Sequence, residues 1–197
     1  MNPLQHKLAS FSVVLGSKSP RRFQLLRDLG IEFEICSKEV DESFSNDMPV
    51  EEVPQFLAEK KFLSIAEDIN ENTFLITADT VVILDDEILH KPSGIEDAWN
   101  MLRKLSGKTH KVLTGVCFGM LQKHKSFVSY SNVCMADLSD DEVQYYIEEY
   151  KPFDKAGAYG VQEWIGFVGV ESIFGSYYNI MGLPVQALYR QIMNFDV

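Results

Sequence analysis

A chain of 197 residues with 46% hydrophobic and 12% aromatic side chains carries enough apolar surface for a true core, which excludes disorder and fits one domain or one domain with two lobes. Its net charge of −11 argues against a nucleic-acid polymer as partner, although a small polyanion stays open if the cations cluster locally. Cys36, Cys117 and Cys134 show no CxxC spacing, and neither an 18-residue apolar run nor a signal peptide is present, so a soluble cytoplasmic protein with reduced, core-packed thiols and no membrane partner is expected.

In chain order, Phe11 to Leu15 reads as a buried strand and Arg21 to Leu29 as a helix with Phe23, Leu26 and Leu29 inward. Between them, Gly16 permits a tight path, Ser19 is a good N-cap, and Pro20 suits the first helical position. A strand, a small-residue turn and a helix start aim several backbone N–H groups at one spot with the helix dipole behind them, which makes an anion site. Lys18, Arg21 and Arg22 place three cations around it. The same residues could equally form an ordinary cap with two solvated arginines, so the stretch needs partners elsewhere. The dipole alone offers a phosphate roughly 0.3–1 kcal/mol, whereas each charge-assisted hydrogen bond adds about 1.5–3 kcal/mol, so the arginines would dominate affinity.

Gly30 stops that helix, Ile31 to Cys36 reads as a second strand, and the polar Ser37 to Pro49, containing Val40-Asp41-Glu42, reads as a surface loop. Val50 to Asp68 is predicted helical, with Phe62, Ile65, Ala66 and Ile69 as its apolar stripe. Lys61 shares a flank with Val53 and Leu57; its ammonium either reaches a cleft edge or only snorkels over the core. Phe74 to Leu84 is the most apolar run, enough for a central strand or two, yet Asp79 sits in its middle. A lone carboxylate there costs several kcal/mol, so either a cation or metal meets it, or a bend brings it to a surface.

Asp85-Asp86 reads as a turn, Ile88-Leu89 as a strand ended by Pro92, with Lys91 at its exit. Ser93 is expected to cap a helix to Lys104 with Ala98, Met101, Leu102 and Leu105 inward, and Ser106-Gly107 to end it. His110 to Leu121 and Phe127 to Met135 read as a long hairpin around Gln122–Lys125. Ser139 to Glu142 is a capping box for a helix through Tyr150. Phe153 to Gln162 is a glycine-bearing loop of mixed chemistry, and Gly182-Leu183-Pro184 opens a last helix with Val185, Leu188 and Ile192 inward.

Four separated places thus hold the parts for phosphate chemistry: the anion loop, the carboxylates Glu42 and Asp79, the lysines Lys61 and Lys91, and the loop bearing Lys155 and Gln162. Hydrolysis of a phosphoanhydride needs cations, a charge-bridging metal held by carboxylates, and a base for water. Two acids without ligating histidines suit Mg²⁺ or Mn²⁺ better than zinc. His6, His90, His110 and His124 are read as structural or surface residues.

The residues match more than a pattern. LGSKSPRR at Leu15–Arg22, VDE at Val40–Glu42, LAxxK at Leu57–Lys61, ADTVV at Ala78–Val82 and KP at Lys91–Pro92 are followed by LRKLSGKTHKVLTGV at Leu102–Val116, DKAGAYGVQ at Asp154–Gln162 and GLP at Gly182–Pro184. In that order, and from about Leu15 to Ile192, the chain resembles the Maf family. The resemblance implies a cytosolic pyrophosphatase that cuts a nucleoside triphosphate to the monophosphate and pyrophosphate; the residues are then expected to support metal-assisted attack of water on the α-phosphorus, with Asp79 as general base or as holder of the metal that activates the water. It implies an α/β fold similar to inosine-triphosphate pyrophosphatases: an elongated central mixed sheet with flanking helices, in a single domain over 1–197 with two lobes around a cleft. Ser17, Arg22, Glu42, Lys61, Asp79 and Lys91 match the family's active-site positions. Asp79, Glu42, Lys61 and Lys91 are then the catalytic set, and Glu42 and Asp79 the ligands of Mg²⁺ or Mn²⁺. Ser17, Lys18, Arg21, Arg22, Lys155 and Gln162 are the substrate contacts. Arg21, Lys155 and Gln162 match the branch that prefers dTTP and UTP; a neutral amide offers a pyrimidine edge both donor and acceptor.

The chain departs from the family pattern at Glu163-Trp164, where a glycine usually stands, at Phe62, and at His90, and the loop beyond Gln162 is expected to run differently. Family members are often dimers, so a homodimer is allowed, though no exposed apolar stripe demonstrates one. Two rival readings are a regulator linked to cell division that holds nucleotide without cutting it, and a scaffold in which Asp79 only satisfies an internal network.

Overall fold

In the computed structural model, which describes residues 1–45 and 47–196, the chain runs α1 (Pro3–Lys7), β1 (Ser12–Leu15), α2 (Pro20–Asp28), β2 (Glu34–Ile35), α3 (Val53–Ala66), β3 (Thr73–Leu84), β4 (Glu87–Leu89) and α4 (Ile95–Leu105). It continues through β5 (Thr109–Met120), β6 (Lys123–Met135), α5 (Asp140–Tyr150), a 3₁₀ turn (Ala156–Ala158), α6 (Trp164–Gly169), β7 (Val170–Gly175), α7 (Tyr177–Ile180) and α8 (Val185–Met193). The strands form one mixed sheet of seven in the order β2-β1-β3-β5-β6-β7, with β4 paired to β3. β1 is parallel to β2 and β3, while β3–β4 and β6–β7 are antiparallel. With its helices this is the α/β class expected. Among the described residues no helix is long and apolar enough to cross a membrane, and Cys36, Cys117 and Cys134 are all free thiols.

The chain divides into two compact units. The first comprises Met1–Asp79, Thr114–Ser129 and Gly182–Val197. Its core joins α3 to the sheet through Val14, Ala58, Phe62, Ile65, Ala66, Leu75 and Cys117, and Thr77 Oγ1 donates to the Ala58 carbonyl at 2.7 Å. Burial pushes the Cys117 thiol up to about 12, which makes it an inert packing residue. Contact is closest at Gly115, where a Cβ would stand 2.2 Å from the carbonyl carbon of Pro54, so β5 meets the start of α3 backbone to backbone. Two local expectations fail here. In α2 the buried residues are Leu25 and Leu26, not Phe23 and Leu29, because Phe23 turns aside to pack edge-on against Phe33 at 5.1 Å. β2 spans only Glu34–Ile35, paired with Val14 and Leu15 of β1, rather than the expected Ile31 to Cys36.

The second unit comprises Thr80–Leu113 and Tyr130–Met181. α4 and α5 bury Ala98, Leu102, Leu105, Val143 and Tyr146 with Val133 of β6 and Ile165 of α6. The cap of α4 is Gly94 rather than Ser93; the Ser93 N–H and hydroxyl instead donate to Asp97 Oδ2 at 2.8 and 3.1 Å. The expected capping box at α5 forms: the Glu142 N–H donates to Ser139 Oγ, and the Ser139 N–H to Glu142 Oε2. The turn between β5 and β6 is only Leu121-Gln122, so Lys123 to Lys125 belong to the strand.

His110 of β5 is buried, its Nε2 2.7 Å from the Tyr159 hydroxyl, while Nδ1 has no hydrogen-bond partner among the described residues. Burial pushes the imidazole down from 6.5 to about 4. The unfolded chain therefore takes up a proton at a pH where the folded one does not. The stability contributed by neutral His110 is complete above pH 6.5 and is lost as pH falls toward 4, at up to about 1.4 kcal/mol per pH unit. Thermal denaturation of the wild type and His110→Gln at neutral and mildly acidic pH should show the gap in Tm closing on acidification. A gap that is constant across this window would contradict the assignment.

Candidate active site

The β1–α2 turn is built as the sequence predicts. The Gly16 N–H donates to the Ile76 carbonyl at 2.8 Å, and a Cβ on Gly16 would stand 2.6 Å from the Thr77 methyl and 2.8 Å from Ile65 Cδ1. Only glycine lets the chain lie that close to β3 and α3 before it turns. Ser17 is buried, and its Oγ accepts from the Ser19 N–H at 3.2 Å. Ser19 caps α2 through the Arg22 N–H at 3.5 Å, with Pro20 at the first position of the helix.

The Arg22 side chain is held from a distant part of the chain. Its Nε donates to the Gly182 carbonyl at 2.8 Å, across 160 residues, and its Nη1 lies 3.4 Å from Ser17 Oγ. Gly182 has φ +107°, a conformation that side-chain-bearing residues rarely adopt. Burial and neighbouring Arg21 lower the pKa of the guanidinium, while Asp79 and Glu42 oppose that shift; an arginine remains charged regardless. Arg21 is half-buried and Lys18 exposed.

Asp79 meets a cation. Lys61, on the flank of α3 with Val53 and Leu57, places its Nζ 2.5 Å from Asp79 Oδ1 and 2.7 Å from Glu42 Oε1. The carboxylate stays in the middle of β3, at the point where the run of buried residues opens at Asp79-Thr80. No bend is needed. Asp79 and Lys61 are largely covered, while Glu42 is 54% exposed, so its pairing with Lys61 contributes little to stability. The cluster brings two hard oxygen donors, Asp79 on β3 and Glu42 in the loop before α3, to the same Lys61 ammonium. Among the described residues no group of three or more His, Cys, Asp or Glu side chains forms a closed metal cage. One or two carboxylates completed by phosphate oxygens and water is the usual setting of Mg²⁺ or Mn²⁺, and Glu42 with Asp79 fit that role.

The structure thus brings Ser17, Arg22, Glu42, Lys61 and Asp79 together in the first unit. The other expected residues, Lys91, Lys155 and Gln162, belong to the second. Lys91 is exposed just beyond β4, where the Gly157 N–H donates to the His90 carbonyl at 3.1 Å. Lys155 is 7% exposed, and its Nζ lies 2.7 Å from Asp154 Oδ1 and 3.1 Å from Glu163 Oε1. Gln162 is half-buried, with its Oε1 enclosed and without a hydrogen-bond partner among the described residues. The sequence reading missed the Gly182 carbonyl and the buried Tyr146, whose hydroxyl donates to Glu163 Oε2. The GLP block and the glutamate standing in place of a glycine were the available signals.

By its fold the chain is an α/β protein like the Staphylococcus aureus Ham1 protein, with a TM-score of 0.53 over 91% of this chain and 99% of that one at 14% identity. More narrowly, it belongs to the family of Maf-like proteins, whose model matches residues 12–195. A protein of Bacteroides fragilis named dTTP/UTP pyrophosphatase is 48% identical over 186 residues, 94% of this chain and 96% of that one. Proteins of the same name from Parabacteroides distasonis and Flavobacterium psychrophilum are 45% and 41% identical over 95% and 97% of this chain, and 98% of each of theirs.

Proposed function

We propose that this chain hydrolyses the pyrimidine nucleoside triphosphates dTTP and UTP to the monophosphate and pyrophosphate. The observation that carries this reading is the Glu42–Lys61–Asp79 cluster in the same unit as the Ser17–Arg22 anion cradle. It occurs in a chain nearly half identical, end to end, to proteins named for that activity. Ser17, Lys18, Arg21 and Arg22 bind the triphosphate: the turn presents backbone donors and the helix start, and the guanidinium adds charge-assisted hydrogen bonds worth about 1.5–3 kcal/mol each. Asp79 accepts a proton from the water that attacks the α-phosphorus, and Lys61 holds that carboxylate in place while adding positive charge for the phosphoryl oxygens. Glu42 and Asp79 would hold a divalent ion, which would supply charge neutralisation when bound. Lys91 as a phosphate contact, and Lys155 and Gln162 as contacts to the sugar or base, rest on the resemblance of their motifs.

A panel of UTP, dTTP, CTP, ATP and GTP assayed with Mg²⁺ and with Mn²⁺ tests the reading. Pyrophosphate is expected in equal amount to the nucleoside monophosphate, with UTP and dTTP turned over fastest. Release of orthophosphate, or binding without product under either metal, would refute it.

A further inference from the structure

Lys61 is held differently from the other cation of this site. The Arg22 guanidinium is fixed on two sides by groups without net charge, the Gly182 carbonyl at 2.8 Å and Ser17 Oγ at 3.4 Å. The Lys61 ammonium, on a flexible four-carbon stem, instead lies 2.5 Å from Asp79 Oδ1 and 2.7 Å from Glu42 Oε1. It touches both carboxylates that would hold the metal. Only 18% of the Lys61 side chain and 13% of that of Asp79 are exposed, so salt screens this pair weakly. Asp79 and Glu42 act on Arg22 as well, opposing the lowering of its pKa by burial. Two carboxylates therefore stand against two cations within the protein itself. A divalent ion taking the same two oxygens would share them with an ammonium in contact with both, and like charges at that range repel strongly. A nucleoside triphosphate changes the balance. Its oxygens offer Lys61 an anionic partner, and an ammonium that turns to them releases the carboxylates.

We infer that the Lys61 ammonium is an internal competitor for the Glu42–Asp79 pair, so that the chain takes up a divalent ion together with the triphosphate and not ahead of it. The inference rests on the proposed reading of those carboxylates as metal ligands and adds an order of binding to it. Lys61 serves in both states because its charge is a point on a flexible stem. One ammonium neutralises the carboxylates in the free chain and the phosphoryl oxygens in the complex. Arg22, anchored at Gly182 and Ser17, has no such freedom. By linkage, a cation that excludes metal until nucleotide binds also makes metal and nucleotide strengthen each other's binding.

The test measures Mn²⁺ binding without turnover. Equilibrium dialysis, and Tm against Mn²⁺ concentration, are carried out without nucleotide on the full chain and on Lys61→Met, Lys60→Met and the double variant Lys61→Met with Glu42→Gln. An ion that binds only the folded chain raises its Tm, and the wild type should show little rise at Mn²⁺ concentrations that saturate Lys61→Met. Lys61→Met should bind Mn²⁺ about 10-fold more tightly or better, within the ordinary range of coupling between two ligands. Adding Glu42→Gln should remove the gain. Lys60→Met deletes the same charge one residue away, from a side chain whose Nζ pairs with Asp41 at 3.1 Å, and should leave the affinity as in the wild type. Equal affinity in the wild type and Lys61→Met would overturn the inference. So would an equal gain in Lys60→Met, which would make the effect a diffuse field, or a gain that survives Glu42→Gln. If Lys61→Met does not fold, Lys61→Gln, which keeps a polar contact to the carboxylates, takes its place. A wild-type Tm that climbs steeply with Mn²⁺ alone overturns the inference by itself. A wild type that releases no pyrophosphate from UTP or dTTP would overturn the pyrophosphatase reading and leave the Mn²⁺ comparison standing.

Discussion

Asp79→Asn is expected to lower kcat for pyrophosphate release from UTP by about 10²–10⁴-fold, the range contributed by a positioned general base, while moving Tm little. The asparagine has nearly the same shape and still accepts a hydrogen bond from Lys61, so the middle of β3 need not reorganise. What disappears is a group able to take a proton from water and to bind a divalent ion. Lys61 keeps its second partner, Glu42, 2.7 Å away, so no ammonium is stranded. A stopped assay at saturating UTP with each metal, alongside a thermal melt, separates these effects. Turnover near that of the wild type would remove Asp79 from the chemistry and leave it as a structural partner of Lys61. A large loss of Tm with proportionate loss of activity would point to the internal-network reading.

That the residue could be singled out at all follows from a local conflict. An acid inside a β-branched run is visible in one dimension because burial without a partner is costly; the structure then supplies the partner. The β1–α2 turn was legible for a similar reason: Ser19 and Pro20 act on backbone groups within one helical turn, so their effect is written in adjacent letters. The supports of the site were not. The Gly182 carbonyl that receives Arg22 Nε is a backbone atom with no side-chain signature. The Tyr146–Glu163 contact joins two polar residues whose spacing follows no helix or strand period. The misread face of α2 has another cause. A helix of nine residues gives about two and a half turns, so the sets Phe23/Leu26/Leu29 and Leu25/Leu26 are nearly equivalent by periodicity, and the ring of Phe33 decides between them. α6, β7 and α7 escaped because Trp164 to Ile180 packs three short elements into a stretch where no period lasts long enough to register.

The second large effect is expected at Arg22. Arg22→Ala should reduce kcat/KM for UTP by about 10–100-fold, matching the loss of one charge-assisted contact of about 1.5–3 kcal/mol to the triphosphate. Arg22→Lys should recover little of it. The native side chain is held as a rigid plane, with Nε on the Gly182 carbonyl at 2.8 Å and Nη1 beside Ser17 Oγ at 3.4 Å. An ammonium on a flexible stem has neither the fork nor the second anchor. Gly182→Ala provides the comparison that distinguishes charge from aim. At φ +107° an alanine is strained, so the carbonyl shifts while every charge in the site is kept. If aim matters, Gly182→Ala lowers kcat/KM in the same direction as Arg22→Lys, and combining the two substitutions costs less than the sum of their separate effects, because both break one contact. Full activity in Arg22→Lys would show that Arg22 acts only as a positive charge, and strict additivity would show that the Gly182 contact serves stability alone.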